Sequence, residues 1–116
     1  MQPIDIKQFN KYKNIFGEAK MHILWKEFVA QAESSWQQMS YFQWDDKRHL
    51  FHNWRSGSQV FGLNKFSVCC LQIEENIINH RFAKAEKQVL KSKQIYQESV
   101  EKVNAIFSKM ESQDGK

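Results

Sequence analysis

Proline occurs once in this chain, at Pro3, and glycine only four times. With so few breakers, no sustained apolar/polar alternation and no Asn-Gly or Asp-Gly turn between apolar runs, a sheet built from hairpins is excluded. Cysteine is nearly absent as well: Cys69 and Cys70 are the two present. Neighbours on a helix point about 100° apart, so this pair neither bridges itself nor forms a four-ligand zinc site. With no disulfide framework and no export signal, a reducing cytoplasm is the expected compartment. The apolar runs are short and interrupted by charge, far from the roughly 20 residues of a membrane span, so no membrane partner is expected. Also missing are a glycine-rich phosphate loop and a concentrated basic stripe. The net charge of +4 comes from 17 Lys and Arg against 13 Asp and Glu. Lys84, Lys87, Lys91 and Lys93 are interleaved with Glu86 and followed by Glu98 and Glu101, the pattern of a solvated helix face. No nucleic-acid partner is expected from it.

What remains is helix. The 116 residues form one expected domain over 1–116, enough to bury about two-thirds of the unfolded chain's surface. Pro3 opens a short first helix carrying Ile4, Ile6, Phe9 and Tyr12, and Gly17 closes it. From about Glu18 to Met39, the residues Met21, Leu24, Trp25, Phe28, Val29, Ala32 and Trp36 recur at threes and fours, giving one apolar stripe. After a turn around Ser40 to Gln43, Asp45 and Asp46 occupy the first turn of a helix that runs to about Phe61, where acidic charge suits the helix dipole. Gly62 is a stop signal. A helix from Leu63 to about His80 buries Phe66, Cys70, Ile73 and Ile77. The last helix, from about Arg81 to Met110, repeats apolar residues from Phe82 to Phe107 at near-heptad spacing, and residues 110–116 are expected to fray. Long helices with short connections predict an all-α fold, an antiparallel up-and-down four-helix bundle with a short extra N-terminal helix. The tryptophans and phenylalanines at these spacings are core residues.

Within the third of these helices the polar face carries chemistry. At about 100° per residue, Leu50, Phe51, Trp54, Gly57, Ser58 and Phe61 share one side and Arg48, His52, Arg55, Ser56 and Gln59 the other. Arg48, Arg55, Ser56 and Gln59 lie at offsets from His52 that stack side chains on one helical face. His52 is therefore a solvent-facing imidazole among basic and small residues. His49 lies about 60° round the helix from it. His22 and His80 have no metal-ligand partners at helical spacing.

The run from His52 onward resembles the signature of histidine-containing phosphotransfer (HPt) domains. In that family the phosphoryl-carrying histidine is followed by a hydrophobic residue, a lysine and a glycine; a hydrophobic residue and glycine close the helix. Here these are Trp54, Arg55, Ser56, Phe61 and Gly62, and the family's second helix is matched by Phe66, Cys70, Ile73 and Glu74 without a gap. Residues 50–75 carry the resemblance well and the flanking helices only in length and apolar pattern. Arg55 replaces the usual lysine, exchanging a compact ammonium for a planar fork of donors. Ser56 replaces the usual glycine, which in the family lets a partner approach closely, and Gly57 comes one residue late.

The resemblance implies a phosphocarrier rather than a turnover enzyme. His52 accepts a phosphoryl group from a receiver-domain aspartate and passes it to another response-regulator receiver. Glu74 accepts a hydrogen bond from Nδ1 and leaves Nε2 as the nucleophile; its other reading is a solvent-exposed glutamate beside Glu75. Arg55, and Arg48 one turn earlier, meet the phosphoryl oxygens. Ser56, Gln59 and a partly surfaced Trp54 line the docking face. No cofactor of its own is implied: Mg²⁺ and the acceptor aspartate belong to the partner receiver, and ATP is not the direct donor. Receivers and a hybrid sensor histidine kinase are the implied partners of a monomer. The initiating Met1 and the absence of a linker lead to the expectation of a free-standing protein. The alternative is a non-catalytic module of the same fold that sequesters a receiver or kinase, with Ser56 as the sign of drift.

Overall fold

A computed structural model describes residues 1–114 of the chain. It contains five α-helices and one 3-10 turn, with no strand among the described residues: α1 (Ile6–Phe16), α2 (Glu18–Gln38), the 3-10 turn Met39–Tyr41, α3 (Trp44–Val60), α4 (Asn64–Ile78) and α5 (Phe82–Asp114). The helix α5 continues through Asp114, into the stretch expected to fray, and residues 115–116 lie outside the described part. At about 1.5 Å per residue, the 33 residues of α5 account for the long dimension of a molecule measuring 53 × 26 × 21 Å. Among the described residues no helix is long and apolar enough to cross a membrane.

Local chemistry sets each boundary. Asp5 caps α1 by accepting from the Gln8 amide, and Gly17, at φ 85°, separates α1 from α2 in a conformation that side chains avoid. Gln43 and Asp46 form a reciprocal capping box at the start of α3. Gly62 turns the chain between α3 and α4 at φ 69°. Its carbonyl accepts from the Asp5 amide at 2.8 Å, and a Cβ there would lie 2.4 Å from the Asp5 carbonyl oxygen. That close approach fastens the N-terminal segment onto the α3–α4 turn. After α4, His80 takes the left-handed conformation at φ 57°, and the Arg81 amide reaches back to Asn76 O at 2.8 Å.

The core is aromatic. Trp54 is 6% exposed and sits among Trp36, Phe51, Phe66 and Tyr96, with ring centroids 4.9–6.4 Å away. A second group joins Trp25, Phe28 and Phe61, and a third joins Phe9 to Phe107. Each such pair contributes about 0.5–1.5 kcal/mol beyond the area it buries. Polar ties across helices are few and specific: Trp25 Nε1 donates to Asn104 Oδ1 at 2.8 Å, Tyr96 Oη to Glu33 at 3.2 Å, and Asn76 Nδ2 to Gln88 at 2.6 Å.

Candidate functional site

The face of α3 that points away from the aromatic core carries His52. Phe51, Trp54 and Ser58 are buried beneath it, so the helix is held with its polar side outward. Half of the His52 side chain is exposed, and its Nδ1 lies 2.9 Å from Glu74 Oε2 on α4. A carboxylate only accepts, so Nδ1 carries the proton and donates. Nε2 then holds the ring's free lone pair, and it has no hydrogen-bond partner among the described residues. Glu74, with 13% of its side chain exposed, is no free surface carboxylate beside Glu75. The residue that reaches the imidazole does so from a helix that also packs on α3 through Trp54 and Phe66, 5.7 Å apart in the core.

Arg55, half-buried one turn beyond His52, makes no ion pair among the described residues. It lines a polar cleft with Asp5, Gln8, Gln59, Asn64 and Ser67. Side chains three apart on a helix have Cβ atoms about 5–6 Å apart, so this guanidinium can serve an anion held at His52. Ser56 and Gln59 are exposed on the same face. Arg48 is differently occupied: its Nε and Nη2 donate to Asp45 Oδ1 at 3.2 and 3.0 Å. Its charge is tied to the first turn of α3 and not directed at the imidazole.

Trp54 corrects an expectation. It was expected to surface partly as a docking contact, yet it is buried. Two positions on from His52 is about 200° round the helix, which turns its ring into the core. Gly57 likewise belongs to packing and not to the site, since a Cβ there would touch Phe28 at 3.4 Å.

The other histidines are distinguished by their partners. His49 is held within its own helix, Nδ1 donating to Asp45 O at 2.9 Å and Nε2 accepting from Arg48 at 3.4 Å, so neither ring nitrogen is free. His22 pairs with Glu111 at 3.2 Å, a contact no local spacing announces. Its ring is stacked on Phe107 at 4.4 Å and three-quarters covered. His80 serves the turn after α4. Both cysteines are buried, and burial pushes the Cys69 thiol up and the Cys70 thiol well up, so neither is a nucleophile. Among the described residues no group of three His, Cys, Asp or Glu could hold a metal ion.

No family model, curated protein or solved structure matches the chain. The site's chemistry therefore rests on its geometry. It combines an oriented nitrogen nucleophile open to solvent, a carboxylate able to stabilise positive charge on the ring, and a neighbouring cation for a bound anion.

Proposed function

We propose that this protein is a phosphorelay intermediate, an HPt-like carrier that takes a phosphoryl group onto His52 Nε2 from a receiver-domain aspartate and delivers it to another receiver. The observation that carries the reading is the His52–Glu74 pair: one ring nitrogen engaged at 2.9 Å, the other unengaged on a half-exposed side chain. In the transfer, the lone pair of Nε2 attacks phosphorus, the bond to the aspartyl oxygen breaks, and the aspartate leaves as carboxylate. Because Nδ1 keeps its proton, the phosphorylated ring becomes a cation, and the Glu74 carboxylate offsets that charge. Arg55 neutralises part of the phosphoryl charge. Such transfer depends on positioning and electrostatics more than on covalent machinery, so a small helical protein suffices while the partner receiver contributes Mg²⁺ and the acceptor aspartate.

Contacts across the helices support an antiparallel, up-and-down arrangement of α2 to α5. As residue numbers fall along α2 from Trp36 through Trp25 to His22, their partners on α5 rise from Tyr96 through Asn104 to Phe107. Trp36 and Trp25 likewise meet Phe51 and Phe61 of the α3 strip in reverse order. On α3 and α4, Trp54 meets Phe66 while His52 meets Glu74. The two reduced, buried thiols fit a cytoplasmic protein. The implied partners are receiver domains and a hybrid sensor histidine kinase.

The test is to incubate the protein with a phosphorylated receiver domain and Mg²⁺ and follow acid-labile, base-stable label. Native protein is expected to acquire it, His52→Gln to acquire none, and Arg55→Gln to acquire it about tenfold more slowly, for loss of one charge-assisted contact. Receiver binding without label would favour the sequestering module, in which the exposed Ser56 hydroxymethyl stands where the family keeps glycine. Label that persists in His52→Gln would refute the assignment.

A further inference from the structure

Away from His52, between the 3-10 turn, the start of α3 and the first half of α5, lies a cleft of about 320 Å³, within the size range of small-ligand pockets. Its wall is apolar: Trp36, Met39, Trp44, Val89 and Leu90 line it, and Leu90 is 73% exposed. Its charge is not balanced. Lys47 and Lys93 face the cleft with Glu86, neither lysine makes an ion pair among the described residues, and the Lys47 ammonium rests 4.4 Å from the Trp44 ring centroid. Trp36 adds a second, independent signal. Its Nε1–H is the one buried side-chain N or O among the described residues with no hydrogen-bond partner, in a residue that lines this cleft and is 9% exposed. A buried donor without an acceptor costs about 1–3 kcal/mol, whereas Trp25 in the same helix has its acceptor in Asn104.

The cleft, which Ser40 also lines, thus carries one positive charge in excess on a largely apolar surface. We propose that it binds a small amphipathic monocarboxylate. The hydrocarbon body lies against Trp36, Met39, Val89 and Leu90, and the carboxylate is held by Lys47 and Lys93, so binding changes the surroundings of the Trp36 indole. The net excess of a single positive charge, Lys47 and Lys93 against Glu86, fits a monocarboxylate better than a phosphate. Lys47 and His52, five positions apart on α3, are about 140° apart round the helix, so this site and the imidazole occupy different faces and stand independently.

The experiment is a titration of the full chain, ¹⁵N-labelled, with octanoate and separately with 4-phenylbutyrate, reading the four indole N–H resonances after assigning that of Trp36 with Trp36→Phe. One or both carboxylates are expected to move the Trp36 resonance saturably in the roughly millimolar range, and the stronger of the two identifies an acyl or an aryl body. Octan-1-ol and octylamine are expected to bind at least about tenfold more weakly. The double variant Lys47→Gln/Lys93→Gln, its fold checked by circular dichroism, is expected to lose about tenfold or more in octanoate affinity. No saturable shift, equal binding of the alcohol, or an unchanged affinity in the lysine variant would overturn the proposal. So would a short acidic peptide that moves Trp36 when neither carboxylate does, since that assigns the cleft to a protein partner.

Discussion

The position of the proton on the neutral His52 ring can be measured with no partner present. Free histidine favours the tautomer with hydrogen on Nε2. At His52 the carboxylate of Glu74 stands 2.9 Å from Nδ1 and accepts from it, which favours the opposite form. A charge-assisted hydrogen bond contributes about 1.5–3 kcal/mol. With half of the His52 side chain open to water, screening holds the value near the lower end, which still gives a bias of about tenfold. That factor multiplies an intrinsic ratio that favours the other form, so in the native protein Nδ1–H should be the majority tautomer of the neutral ring, shifted about tenfold from the ratio in Glu74→Ala. Long-range ¹H–¹⁵N correlation above the titration range of imidazole distinguishes the tautomers by the two nitrogen shifts. Glu74→Ala should return the ring to its intrinsic preference, whereas Glu74→Gln, whose amide oxygen still accepts, should keep part of the bias. His80, exposed and with no carboxylate partner among the described residues, supplies the unbiased reference within the same spectrum. A native spectrum with hydrogen mainly on Nε2, or one unmoved by Glu74→Ala, would refute the account of how the nucleophile is prepared.

Four stability measurements check the scaffold. Gly62→Ala should destabilise by about 2–4 kcal/mol in urea unfolding, combining left-handed backbone strain with the clash against Asp5 O and loss of the Asp5–Gly62 bond. Gly57→Ala, mid-helix with its new methyl in ordinary contact with Phe28, should instead stabilise by about 0.5–1 kcal/mol; equal effects at the two glycines would contradict the geometry. Trp54→Ala should cost about 3–5 kcal/mol as a core cavity, and a loss of receiver binding with stability intact would restore it to the surface. Burial and the neighbouring Glu33 carboxylate hold the Tyr96 phenol above its ordinary value of 10.0, so the folded state keeps a proton the unfolded state releases. Its contribution should be intact below pH 10 and decline as pH rises above it; Tyr96→Phe should flatten that decline, and a slope unchanged in the variant would assign it elsewhere.

Helix positions were legible because apolar spacing and breakers agree: Gly17, the Asp45–Asp46 pair and Gly62 each fall at or next to an observed boundary. The outward face of His52 followed from the same periodicity. Trp54 was misjudged by giving weight to a motif position over the angle that position makes on the helix. The engagement of Arg48 and His49 by Asp45 was available from their three- and four-residue spacing. Other features had no local signal. The His22–Glu111 pair, the meeting of Asp5 with Gly62, and the convergence of Trp36, Trp54 and Tyr96 join residues remote in sequence, and periodicity says which face is apolar without saying which apolar face it meets.

The hydrogen bond that orients the imidazole spans two helices, and nothing on the outer surface sets its length. Farther along the same two helices, Trp54 packs on Phe66 and ties α3 to α4 in the core. A slip of one helical turn, about 5.4 Å, would carry Glu74 beyond reach of the ring. The orientation of a solvent-facing ring is in that sense set by interior packing, so a substitution between α3 and α4 in the core could undo it without touching the imidazole or its carboxylate.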